Sequence, residues 1–170
     1  MPIYCKTLDD TEIFSLIPAN CEKVLIMACA SCMNESLAYA QKTPLFACDE
    51  NGENISASYN EAKRISDTLE QENYITKIVE CGFCINSSND DKISVYERGF
   101  NPDIILALSC KAGALGVQLC TKQQVRCITV HEGYLALAYK DHNGVRVIIE
   151  EMSEEIPVSS YGETKYATIQ

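Results

Sequence analysis

Several things this chain lacks narrow what it can do. No apolar run approaches the roughly 18 residues that a membrane-spanning helix needs. The stretch Met1–Asp10 has no cationic segment leading into an apolar one, so no secretory signal is expected and the cytoplasm is the expected compartment. No Gly-x-Gly-x-x-Gly follows the first strand-like run, and there is no phosphate-loop lysine motif, so nucleotide sites have no support. The two histidines form no catalytic constellation, and no serine nucleophile elbow occurs. Basic residues number 14 against 24 acidic ones, a net charge of −10, with no basic stripe. Nucleic acid phosphates would be repelled, so nucleic acid is not an expected partner. No internal repeat appears at the 20–50-residue scale.

What the chain has in quantity is cysteine: ten in 170 residues. In a secreted protein that count reads as disulfides; in a reducing compartment it reads as metal ligands or redox chemistry. Apolar residues make up 46% and charged residues 22%, ordinary for a globular protein with a sizeable core.

Periodicity and turn chemistry predict the elements in order. A short helix at Thr11–Leu16, capped near Asp9, Asp10 or Thr11, ends before Pro18. An apolar strand at about 23–28 runs into Cys29-Ala-Ser-Cys32, and a short helix follows over Asn34–Gln41. The Asn51-Gly52 pair predicts a hairpin insertion, Leu45–Cys48 with Glu53–Ser56. A helix over Tyr59–Asn73 has a capping-box pattern in Ser58 and Glu61, with Ala62, Ile65 and Leu69 on one face. The strand Tyr74–Val79 leads to Cys81 and Cys84, and a helix is expected near Asp91–Arg98. The strand Asp103–Ser109 ends at Cys110, a helix rich in small residues covers Ala112–Leu119, and a fourth strand, Arg126–Val130, precedes His131. For Tyr134–Asp141 the alternation favours a helix feeding a last strand, Val145–Ile149; the competing reading is a β-hairpin around Asn143-Gly144.

Strands alternating with helices predict an α/β fold: a four- to five-stranded, mainly parallel open sheet with helices on both faces, Rossmann-like, carrying a small hairpin insertion. Residues 1–150 would form one domain, and 151–170 a polar carboxy-terminal extension. In such sheets ligand sites collect at the carboxyl ends of the strands. Cys29, Cys32, Cys81, Cys84 and Cys110 would therefore meet at one edge if the strands are parallel. Four thiolates suit zinc or an iron–sulfur cluster. Helix N-termini beside Cys32 and Cys110 suit a negatively charged ligand. Small residues there (Ala28, Ala30, Ser31, Gly82, Ala112, Gly113) leave room for something wider than one ion, which favours [4Fe–4S]. Either Cys81 or Cys84 is expected to be a bystander. Cys120 and Cys127 read as core residues, Cys21 and Cys48 as incidental, His131 as a hydrogen-bonded structural histidine and His142 as a turn residue. Cys5 stays open.

The stretches Cys21–Cys32, Val79-Glu-Cys81 and Ile104–Ala114 resemble the methylenetetrahydrofolate reductase C-terminal domain family, the small iron–sulfur/zinc subunit of bacterial methylenetetrahydrofolate reductases. The resemblance covers about residues 5–135. It implies that Cys29, Cys32, Cys81 (or Cys84) and Cys110 hold a cluster or zinc, and that a flavin-containing subunit is the protein partner. The chain departs from the family in Ala30 and Lys111, which stand where glycine is usual, in the Thr43–Ile55 insertion, and in having no cysteine after Cys127, so a second cluster is not expected. The leading expectation is an iron–sulfur electron-transfer or accessory subunit of a larger redox enzyme, more relay than stand-alone enzyme, with one-carbon metabolism as its setting. A zinc scaffold of a methyl-transfer complex is the second reading. A dithiol–disulfide oxidoreductase using Cys29 and Cys32 is the third; the absence of Trp and of Gly-Pro between those cysteines weighs against it.

Overall fold

The computed structural model describes residues 3–48, 50–82, 96–140 and 146–152, the last two strands by backbone alone from residue 134 on. Its centre is a four-stranded parallel sheet in a mixed α/β fold. The strands of this sheet are β2 (Lys23–Cys29), β5 (Ile75–Cys81), β6 (Ile104–Leu108) and β7 (Gln124–Cys127), in the order β5-β2-β6-β7. The two inner strands have almost no polar residues because they are covered all round. Val24 through Ala28 and Ile104 through Leu108 are fully buried, the continuous apolar pattern of interior parallel strands. The outer strands carry the polar residues Thr76, Lys77, Gln124 and Arg126.

Helix α1 (Asp10–Ser15) starts with a full capping box: Asp9 accepts from the Glu12 N–H at 2.8 Å, and Glu12 accepts from the Asp9 N–H at 3.0 Å. Helix α2 (Cys32–Gln41) follows β2, and the predicted insertion is a hairpin of β3 (Phe46–Cys48) and β4 (Asn54–Ser56). Helix α3 (Ala57–Gln71) begins two residues earlier than Ser58 would dictate. Its cap is Ser56, whose Oγ accepts from the Tyr59 N–H at 2.9 Å. Ser58 is committed elsewhere: its hydroxyl donates to Glu80 at 2.7 Å and its N–H to Asn34 Oδ1 at 3.1 Å. Residues 96–100 are helical, while 91–95 of the expected helix lie outside the described residues. Helix α4 (Lys111–Leu119) links β6 to β7.

A second sheet was not foreseen. Strand β1 (Ile3–Thr7) pairs antiparallel with β8 (Thr129–Lys140), which pairs antiparallel with β9 (Arg146–Met152). The expected helix at Tyr134–Asp141 is therefore wrong, and the hairpin reading stands. Leu and Ala favour a helix locally, but β8 has a partner strand on each side, and that tertiary pairing outweighs propensity. The turn at Asn143-Gly144 lies outside the described residues, as does the expected extension from residue 153 on. The fourth strand also ends earlier than expected, at Cys127. Ile128, fully buried, is the crossing point: its N–H donates to the Ala107 carbonyl in one sheet, and its carbonyl accepts from Leu8 N–H beside the other, at 3.1 and 3.0 Å.

At the amino edge of the parallel sheet, Asp103 ties two strands together. Its carboxylate accepts the N–H groups of Glu22 and Lys23 at 2.9 and 2.8 Å, and these bonds hold its pKa below the ordinary 3.8. A carboxylate whose pKa is lowered by folding stabilises the fold above its unfolded value and loses that contribution as pH falls through the folded one. Asp103→Asn should cost about 0.5–1 kcal/mol at neutral pH, given the solvent screening at this exposed position. It should also flatten the loss of stability below about pH 4. Urea denaturation as a function of pH measures both; an unchanged acid limb would remove Asp103 from this role.

Candidate metal centre

Parallel pairing brings the cysteines to one edge. Cys29 ends β2 and stands opposite Cys81, which ends β5; the Ala30 N–H then donates to the Cys81 carbonyl at 3.2 Å. Cys110 follows β6 and is the N-cap residue of α4, with extended backbone (φ −64°, ψ 165°) and no side-chain cap bond. Cys32 opens α2, whose N-cap Ser31 also makes no side-chain cap bond. Both helices thus leave first-turn N–H groups uncapped beside a cysteine, with the positive end of the helix dipole at the edge. Cys127 ends β7, level with Ala107 of β6. Each of the four parallel strands therefore runs out in a cysteine, at its last residue or, for β6, two residues on.

Cys5 joins them from the second sheet. Its N–H donates to Ser36 Oγ at 3.1 Å, and that same hydroxyl reaches the carbonyls of Cys32 at 2.8 Å and Ile3 at 3.1 Å. One buried serine of α2 thereby fixes β1 over the start of the helix. Cys5 is 3% exposed. Burial pushes its pKa up to about 12; Cys110, Cys127 and Cys32 push the same way, and a hydrogen bond with Thr129 works against them. Thr129 Oγ1 donates to the Ser109 carbonyl at 2.6 Å, and the Cys127 thiol donates to that carbonyl at 3.3 Å. The residue before Cys110 is thus bonded to both Thr129 and Cys127.

Gly113 is required by this packing. A Cβ there would lie 2.9 Å from Ser109 Cβ and 3.9 Å from Cys110 Sγ. Gly113→Ala gains helix propensity of about 1 kcal/mol but overpacks a site with no room, at a cost of about 1–3 kcal/mol. The expected net is a lowered thermal midpoint and an α4 start displaced from Ser109. A raised midpoint in a thermal melt would show that the contact yields.

Of the residues expected at the site, Cys29, Cys32, Cys81 and Cys110 arrive at the edge, and Cys84 lies outside the described residues. Cys21 is at the opposite edge, where burial and the charge of Asp103 raise its pKa. Cys48 is on the exposed β3 and donates to Asn54 at 3.5 Å. Cys120 caps the far end of α4. His131 lies in β8, exposed, with its ring Nε2 2.9 Å from the Gly133 carbonyl. His142 is outside the described residues. Cys127 was missed as an edge residue, although the rule that located the others, a cysteine at the end of a strand, applies to it once β7 is seen to stop there. Nothing local marks Cys5, because its place depends on β1 pairing with a strand more than a hundred residues away.

The donors fit a thiophilic metal or an iron–sulfur cluster by chemistry: soft sulfur ligands, uncapped helix ends and small neighbours. Among the described residues, no three His, Cys, Asp or Glu side chains are grouped closely enough to hold one metal ion as they stand. No described helix is long and apolar enough to cross a membrane. No protein-family model, curated protein or solved structure matches the chain.

Proposed function

We propose that this chain is an iron–sulfur protein that serves a larger redox enzyme as an electron relay or accessory subunit. The observation that carries the reading is the run-out of every strand of the parallel sheet into a cysteine at one edge. Cys29, Cys32 and Cys110 would hold a [4Fe–4S] cluster with a fourth sulfur from the end of β5, Cys81 or Cys84. A cluster held there supplies one-electron transfer. The chain's own residues set the surroundings. Uncapped N–H groups at the starts of α2 and α4 face a negatively charged group, and Gly113 lets Ser109 and Cys110 seat against α4.

The resemblance to the methylenetetrahydrofolate reductase C-terminal domain family supports the same reading. It points to a flavin-containing partner and a setting in one-carbon metabolism; the proposed compartment, the cytoplasm, rests on the amino-terminal stretch instead. The fold belongs to this proposal as a Rossmann-like sheet with helices on both faces. The β2-α3-β5 and β6-α4-β7 crossovers run in opposite directions across the sheet, and right-handed connections then put α3 and α4 on opposite faces. Iron and acid-labile sulfide analysis of the anaerobically purified chain tests the function. About four irons and four sulfides per chain are expected. A colourless protein with one zinc per chain and no iron sinks the relay and leaves a zinc scaffold, since zinc has no redox chemistry of its own.

A further inference from the structure

We propose that the outer face of α4 is the docking surface for residues 153–170 of the same chain, which meet it through the apolar pair Ile156 and Val158 and the carboxylates of Glu154, Glu155 and Glu163. The contact needs no metal at the cysteine edge and stands apart from the reading of that edge.

Helix α4 is apolar on both sides. Ala114 and Val117 are buried, while Leu115 is 59% and Leu119 79% exposed, the most exposed large apolar side chains among the described residues. With Ala112 they recur at three- and four-residue spacing and form one stripe along the outside of the helix. An apolar stripe rimmed by polar residues marks an interaction site. Its charge says what the occupant carries. Lys111 stands exposed at one end of the stripe. At the other end Lys122 and Leu119 line a cavity of about 630 Å³ that is open to solvent. Residues 104–130 hold three cations and no carboxylate, in a chain of net charge −10. A second copy is the wrong occupant, because two α4 helices laid antiparallel set Lys111 against Lys122, and laid parallel set each lysine against its like. The complementary pattern is Glu154-Glu155-Ile156-Pro157-Val158, with Glu163 after it. These residues also begin close enough to reach. Strand β9 ends at Met152, opposite Tyr134, and Tyr134 is about 17 Å along β8 from Thr129. Thr129 is bonded to Ser109, two residues before Lys111, and α4 is about 13 Å long. Residues 153–170, which lie outside the described residues, span about 60 Å when extended. Their tether presents them at about millimolar effective concentration, so a weak contact suffices.

Zero-length carbodiimide cross-linking of the full chain, read by peptide mass spectrometry of the monomer band, tests the contact. Lys111 and Lys122 should be joined to Glu154, Glu155 or Glu163 at least tenfold more often than Lys42, an exposed lysine at the end of α2. Yields are normalised to the rate at which each lysine is acylated. Replacing Ile156→Ser together with Val158→Ser should cut those links at least fivefold. Leu119→Ser should do the same from the other side of the contact, at a position too exposed for the change to unfold the helix. Unchanged yields in these variants overturn the proposal, as do links spread evenly over the three lysines or no links at all. Links between two chains assign the face to a second copy and overturn it too.

Discussion

Cys110→Ser should lower the iron or zinc content of the purified chain at least tenfold, while barely moving the thermal midpoint of the metal-free chain. Cys110 belongs to the proposed ligand set, so the loss follows from that reading. The preserved stability follows from where the residue sits. Cys110 is the N-cap of α4, with the extended backbone that cap residues adopt, and its own side chain makes no cap bond. Serine is among the preferred residues there, because its oxygen accepts a first-turn N–H; a good cap contributes about 1 kcal/mol. The variant therefore loses a sulfur and gains a cap. Metal analysis, and a thermal melt once the metal is removed, separate the two effects. If metal content holds, the edge is not the binding site.

Ser36→Ala should be the most damaging single-atom change in the fold. Ser36 is fully buried, and its hydroxyl serves the Cys5 N–H, the Cys32 carbonyl and the Ile3 carbonyl. Removing it leaves a buried N–H without that acceptor, at a cost of about 1–3 kcal/mol. For a chain of this length that corresponds to a fall of roughly 2–12 °C in the thermal midpoint. The damage should fall on β1 first, so hydrogen exchange at Tyr4 and Cys5 should speed up more than at Leu106 in the central strand. Uniform acceleration would mean that β1 and the parallel sheet open as one unit.

The parallel sheet was legible in the sequence because its inner strands are covered on both faces, and such strands show as unbroken apolar runs like Val24–Ala28 and Ile104–Leu108. The hairpin insertion was legible in Asn51-Gly52, and α1 in the cap candidates Asp9, Asp10 and Thr11 and the stop at Pro18. Three of the edge cysteines followed from the strand ends alone: Cys29, Cys81 and Cys110. The second sheet was not legible. Its strands pair far apart in sequence, and Tyr134–Tyr139, rich in Leu and Ala, carries a helical preference that pairing with β1 and β9 overrides. The position of Cys5 was hidden for the same reason. Cys127 was hidden by a boundary: the chain leaves one sheet and enters the other at Ile128, and a strand read straight through to Val130 conceals that the first one has ended.

The pairing of Ile3 with Tyr134 has a consequence for synthesis. β1 is made more than a hundred residues before β8, the strand it pairs with, and must wait for it. Cys5, Cys29 and Cys32 emerge long before Cys110 and Cys127, so the early thiols spend most of translation without the late ones, open to oxidants and to the wrong metals. Loading the edge is thus a task for the finished chain, and an aerobically expressed preparation should carry its oxidative damage chiefly on the early cysteines.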